Sequence, residues 1–144
     1  MNVTASVVAA DIDEAADIVA SERPAADWQG FAMRGLDQAQ CAMLHALLSG
    51  RYFDEAQSDL RLLHAESAEG PWLLLFPASS ARRLADLDEA GLEAVGEELA
   101  ATEAFEAEEW TPEDAQKLVQ QMAELAGAAM AQKKAIFIWI VADE

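Results

Sequence analysis

Cysteine occurs once in this chain, at Cys41, and histidine only twice, at His45 and His64. A single thiol excludes an internal disulfide and every multi-cysteine zinc site. It matches the thiol usage of a reducing cytoplasm, where we expect the protein. Basic residues are scarce too: nine Lys and Arg stand against 27 Asp and Glu, for a formal net charge of −18. A small domain more commonly carries a magnitude of about 2–8. So strong a field repels phosphate backbones and anionic lipid surfaces, which argues against nucleic-acid and membrane partners. It attracts a basic protein partner, although acidity also serves plain solubility in an alanine-rich chain. Long apolar runs are missing. The longest, Ala135 to Ala142, falls far short of the roughly 20 residues of a membrane helix. Met1 to Ala10 carries no basic leader, and Asp11, Asp13, Glu14 and Asp17 follow at once, which predicts no secretory signal.

What is present suits one α+β domain over residues 1–144, with 53% apolar residues and no internal repeat or low-complexity linker. We expect a small mixed sheet, including the C-terminal strand, packed against several helices. Val3 to Ala9 reads as a strand. Asp11 or Asp13 caps a helix to about Ala20 with Ile12, Ala15, Ala16 and Val19 on one face. Ser21 to Gly30 reads as a loop anchored by Trp28. Leu36, Gln40, Met43, Leu44, Leu47 and Leu48 recur at helical spacing, with Asp37 near the start and Gly50 as the stop. Tyr52 to Glu69 stays open between helix and strand. Trp72 to Phe76 reads as a buried strand. Pro77 to Leu87 reads as a helix turning Leu84 and Leu87 inward. Asp86-Leu87-Asp88-Glu89 has capping-box spacing for a helix to Ala101 that buries Leu92, Val95 and Leu99. Thr111-Pro112-Glu113-Asp114 opens the best-signalled helix. Its stripe is Leu118, Met122, Leu125, Ala126, Ala129 and Met130, Gly127 permits close packing, and Lys133 and Lys134 close it. Ala135 to Val141 is apolar on both alternating faces, as a central strand covered on both sides would be.

No H-E-x-x-H, phosphate-binding glycine loop, dinucleotide fingerprint or G-x-S-x-G elbow occurs, so no metal, cofactor or catalytic set is implied. His64-Ala65-Glu66 lacks the cysteine pair of a deaminase zinc site; as alternate strand residues the two would simply share a face. Cys41 and His45 lie one helical turn apart, a spacing at which an imidazole can activate a thiolate in a pocket, or at which both merely fill the core edge. Between Arg83 and Lys117 there is no basic residue but 12 acidic ones. Phe105 and Trp110 stand there among Glu106, Glu108 and Glu109. Aromatic rings within an acidic loop suit anchoring of a basic partner, or fold back as plugs onto the core.

Leu44-His45-Ala46-Leu47-Leu48-Ser49-Gly50 resembles the L-H-x-L-L-T-G run of the YfbM-like family, small bacterial proteins containing a domain of unknown function. The later order is similar as well: a Pro77-led helix, the Leu84-x-x-Leu87-Asp88 step, an aromatic before the last long helix, and an apolar closing strand. Cys41 stands where that family often carries Trp. The resemblance implies a mixed α+β fold and supplies no activity and no catalytic residue. The residues therefore favour a non-enzymatic interaction module that binds a basic protein through Phe105, Glu106, Glu108, Glu109 and Trp110. The alternative is a small ligand-binding protein or enzyme with a pocket near Cys41 and His45. Self-association along the sheet edge holding Ile136 to Val141 is a third reading.

Overall fold

The computed structural model describes residues 3–65, 67–68 and 70–142. The chain begins with β1 (Val3–Ala10), a 3₁₀ turn (Ile12–Glu14), α1 (Ala15–Ala20) and α2 (Pro24–Asp27). Next come β2 (Gln29–Arg34), α3 (Gln38–Ser49), α4 (Phe53–Asp59), β3 (Arg61–Ala65) and β4 (Trp72–Leu75). Four helices then intervene, α5 (Ala78–Asp86), α6 (Glu89–Ala100), α7 (Glu103–Glu106) and α8 (Pro112–Ala131), before β5 (Ala135–Ala142) closes the chain. The α+β class expected from the sequence is what forms.

The five strands lie in the order β2-β1-β5-β4-β3, and every pairing is antiparallel rather than mixed. The reason lies in the connections. The β1–β2, β3–β4 and β4–β5 connections each return the chain to the end of the sheet it left, which is what an antiparallel neighbour needs. The β2–β3 connection through α3 and α4 instead crosses to the other end and joins the two edge strands. β5 is the central strand, between β1 and β4. It has no free edge, so the expected route to self-association through Ile136 to Val141 is closed. The exposed edges belong to β2 and β3.

Both faces of β5 are covered, as its continuous apolar pattern requires. Ile136, Ile138 and Ile140 meet the main core with Leu44 of α3, Leu84 of α5, Leu99 of α6 and Leu118 and Met122 of α8. Phe137 and Trp139 face the opposite layer with Val8, Leu73 and Ile18 of α1. That layer corrects the expected α1 face: Ile18 is buried, whereas Ile12 is 64% exposed and Ala16 also faces out. The 3₁₀ turn interrupts the first turn and rotates the stripe.

Local capping chemistry places most other ends. Asp37 accepts from the Gln40 N–H at 2.8 Å and opens α3, and Gly50 ends it in the left-handed conformation at φ 75°. Thr111 accepts from the Asp114 N–H at 3.1 Å, and Asp114 accepts from the Thr111 N–H at 3.2 Å. The expected box at Asp86 is replaced by Asp88, which accepts from the Gly91 N–H at 2.7 Å. Leu99 is buried as expected, while Leu87, Leu92 and Val95 are only half-buried. The span read as a loop contains α2 and the first two residues of an edge strand, β2. A Cβ at Gly30 would collide with the Val7 carbonyl, so the glycine that suggests a loop is what lets the two strands pair. Residues 53–65 resolve into a helix followed by a strand. Met130, placed on the buried stripe by its spacing, is 40% exposed, although its neighbour Ala129 is buried in the core.

Candidate functional site

The acidic stretch gathers at the end of the sheet where β1 begins and β2 ends. Glu108, Glu109, Trp110 and Asp114 line a cavity of about 470 Å³ over Val3 and Met33, which Arg34 and Lys117 also line. Phe105 does not belong to it. Its ring is fully buried against the core, and this corrects its assignment as a contact residue. Burying a phenylalanine stabilises by about 1.5–3 kcal/mol, more than an exposed ring would gain while waiting for a partner. Phe105 instead supports Trp110 from below: the rings meet edge to face, with centroids 5.0 Å apart and planes at 82°. Trp110 is half-buried and Glu106, Glu108 and Glu109 are exposed, with Glu106 outside the cavity lining.

Backbone strain marks the same place. Glu109 sits at φ 61°, one of two non-glycine residues with positive φ among the described residues. The geometry is that of a helix end in which the Trp110 N–H reaches back to the Phe105 carbonyl at 3.1 Å. Glycine normally fills this position; any other residue costs about 1 kcal/mol or more. Asp37 extends the acidic field. Its carboxyl is raised above the ordinary aspartate range, first by burial and then by the charge of Glu108. The place of Asp114 in the cavity lining was not legible in the sequence, where it reads only as the capping-box partner of Thr111.

The second pair of candidates separates. Cys41 is buried, and burial pushes its thiol far above the ordinary range. A thiol in apolar surroundings is inert, which overturns the reading of an activated Cys41. His45 is 2% exposed and turns to other partners. Its Nδ1 meets the Ser80 hydroxyl, and its Nε2 meets Asp59 Oδ2 at 2.9 Å. An ionised Asp59 only accepts, so Nε2–H donates to it. Arg51 engages both oxygens of Asp59, with Nε at 2.5 Å from Oδ2 and Nη2 donating to Oδ1 at 3.3 Å. The carboxyl of Asp59 is held below its usual range, chiefly by the His45 hydrogen bond and then by Arg51. Ser80 is 1% exposed. The chain Arg51–Asp59–His45–Ser80 thus ties α3, α4 and α5 together with both ring nitrogens committed.

His64 lies on β3 opposite Leu73, with Nε2 lacking a partner; its proposed companion Glu66 lies outside the described residues. Among the described residues no group of three or more His, Cys, Asp or Glu is arranged to hold a metal ion. No helix among them is long and apolar enough to cross a membrane. No family model, curated protein or solved structure matches the chain.

Proposed function

We propose that this chain is a binding module whose acidic cleft at Trp110 takes a basic segment of a partner protein. The observation that carries the reading is the convergence of Glu108, strained Glu109 and Asp114 around a half-buried indole. A lysine or arginine side chain fits such a place: the carboxylates satisfy its charge, and the ring face adds a cation–π contact worth about 0.5–2 kcal/mol. Backbone strain of the kind held at Glu109 clusters at binding and active sites, where the surrounding structure over-determines it. The surrounding acidity steers a basic partner inward. Arg34 and Lys117 oppose it, so the cleft selects a segment whose cations reach the carboxylates past them. Membership of the YfbM-like family belongs to the same proposal and adds no residue to the cleft.

The competing reading, a reactive pocket at Cys41 and His45, has less support, since that thiol is buried and that imidazole is fully hydrogen-bonded. The test is affinity capture from a bacterial lysate at low and high salt. It compares wild type with a charge reversal at Glu106, Glu108 and Glu109, and with an equal reversal at the remote Asp13, Asp17 and Glu22. We expect a basic partner retained at low salt by wild type and the remote variant, and lost by the cleft variant. Loss in both variants alike would reduce the effect to net charge, and retention in both would overturn the proposal.

A further inference from the structure

At the opposite end of the sheet, four of the nine basic residues of the chain line one cavity of about 490 Å³. They are Arg61 at the start of β3, Arg82 on α5, and Lys133 and Lys134 between α8 and β5. A single carboxylate, Asp59, also lines the cavity, and it is already held by Arg51 and His45. In a chain with three times as many acids as bases, such segregation runs against composition. None of the four cations forms an ion pair among the described residues. Lys134 has an acidic neighbour in Glu14, whose carboxyl it helps to hold low.

The rest of the lining is apolar. Ile136 and Phe76 are buried behind the cavity, while Ile12 and Met130, which also line it, are 64% and 40% exposed. These are two of the four large apolar side chains left exposed among the described residues. Lys133 is the other non-glycine residue with positive φ, at 58°. It occupies a helix end closed by the Lys134 N–H on the Ala129 carbonyl at 2.8 Å, where glycine would be the unstrained choice. The first turn of α5 adds to the positive field: Pro77 supplies no side-chain cap, and Pro77 and Ala78 both line the cavity.

We infer that this cavity binds a small amphipathic anion, its apolar body against Met130 and Ile136 and its carboxylate or phosphate head among the two arginines and two lysines. The volume lies within the roughly 300–1,000 Å³ of small-molecule sites. The charge cluster also offsets, locally, the repulsion an anion meets from a chain of net charge −18. The site is separate from the acidic cleft, and neither proposal depends on the other.

Isothermal titration of the whole chain with four probes tests it: decanoate, decyl phosphate, decanol and acetate. Saturable one-to-one binding of at least one anionic decyl probe is expected, at least about tenfold tighter than decanol or acetate. Preference between the two anions identifies the head group. Lys133→Gly should weaken that binding about tenfold while leaving the thermal midpoint unchanged or higher, because glycine relieves the strained backbone. Arg82→Gln, on an exposed position, should weaken it in the same way. The inference fails if neither anion saturates, if decanol binds as tightly, or if both folded variants keep wild-type affinity.

Discussion

His45 and Cys41 sit one turn apart on α3, yet the imidazole bonds to Ser80 and Asp59, residues 35 and 14 positions away in the chain. The spacing of the pair was legible; its partners were not, because they arrive from α5 and α4 through long-range packing. What the network contributes depends on Asp59 being ionised. Its carboxyl is held low by the His45 hydrogen bond and then by Arg51, so it loses its proton more readily folded than unfolded. That contribution is fully present above the unfolded aspartate value, about 3.9. It disappears as pH falls through the lower folded value. Asp59→Asn should therefore be less stable than wild type at neutral pH, with the gap closing below about pH 4. Urea denaturation of both proteins across that range measures it. A gap that stayed constant into acid would show that the charge of Asp59 is not what ties the helices.

Among the elements, α6 and α8 illustrate how two glycines of similar appearance differ. Gly96 lies buried where α6 crosses α8, and a Cβ there would approach Gln116 Cγ to 2.5 Å and Gln116 Cα to 2.9 Å. Gly127 is exposed on α8, and a Cβ there would meet nothing within 4 Å. The close-packing role that sequence suggests for Gly127 belongs to Gly96. Gly96→Ala should destabilise by about 1–3 kcal/mol, because the helix backbones must separate. Gly127→Ala should stabilise by about 0.5–1 kcal/mol by removing excess backbone freedom. Urea midpoints decide both, and equal effects would mean that the α6–α8 crossing yields without cost. Helix starts at Asp37 and Thr111 could be read directly, since a cap and its N–H lie three residues apart. Strand β2 could not: its burial is half-exposed along its length, and its pairing with β1 supplies what its own residues do not. The two helix ends at Glu109 and Lys133 break the usual glycine preference, which only the backbone angles reveal.

Over the whole molecule, the two clefts lie at opposite ends of one sheet, and α8 runs from one to the other. Asp114 and Lys117 near its start line the acidic cleft, and Ala129 and Met130 near its end line the basic one. Twenty residues of helix span about 30 Å, so the two local fields are well separated at physiological salt, where screening acts over about 8 Å. The net charge of −18 still acts on the fold as self-repulsion. Raising sodium chloride from about 10 mM to about 150 mM shortens the screening length from about 30 Å to about 8 Å. The thermal midpoint should rise by a few degrees, corresponding to about 1 kcal/mol of relieved repulsion. A midpoint that fell in calorimetry would mean that attractive pairs outweigh the repulsion. Composition, the doubly apolar pattern of Ala135 to Val141 and the capping signals were settled by the sequence itself, because net charge is additive and the other two act over a few residues. Tertiary structure alone decided that Arg61, Arg82 and Lys133 share one wall and that Phe105 leaves the acidic surface. Those outcomes depend on strand register and helix packing between segments tens of residues apart, to which neither periodicity nor local hydrogen bonding is sensitive.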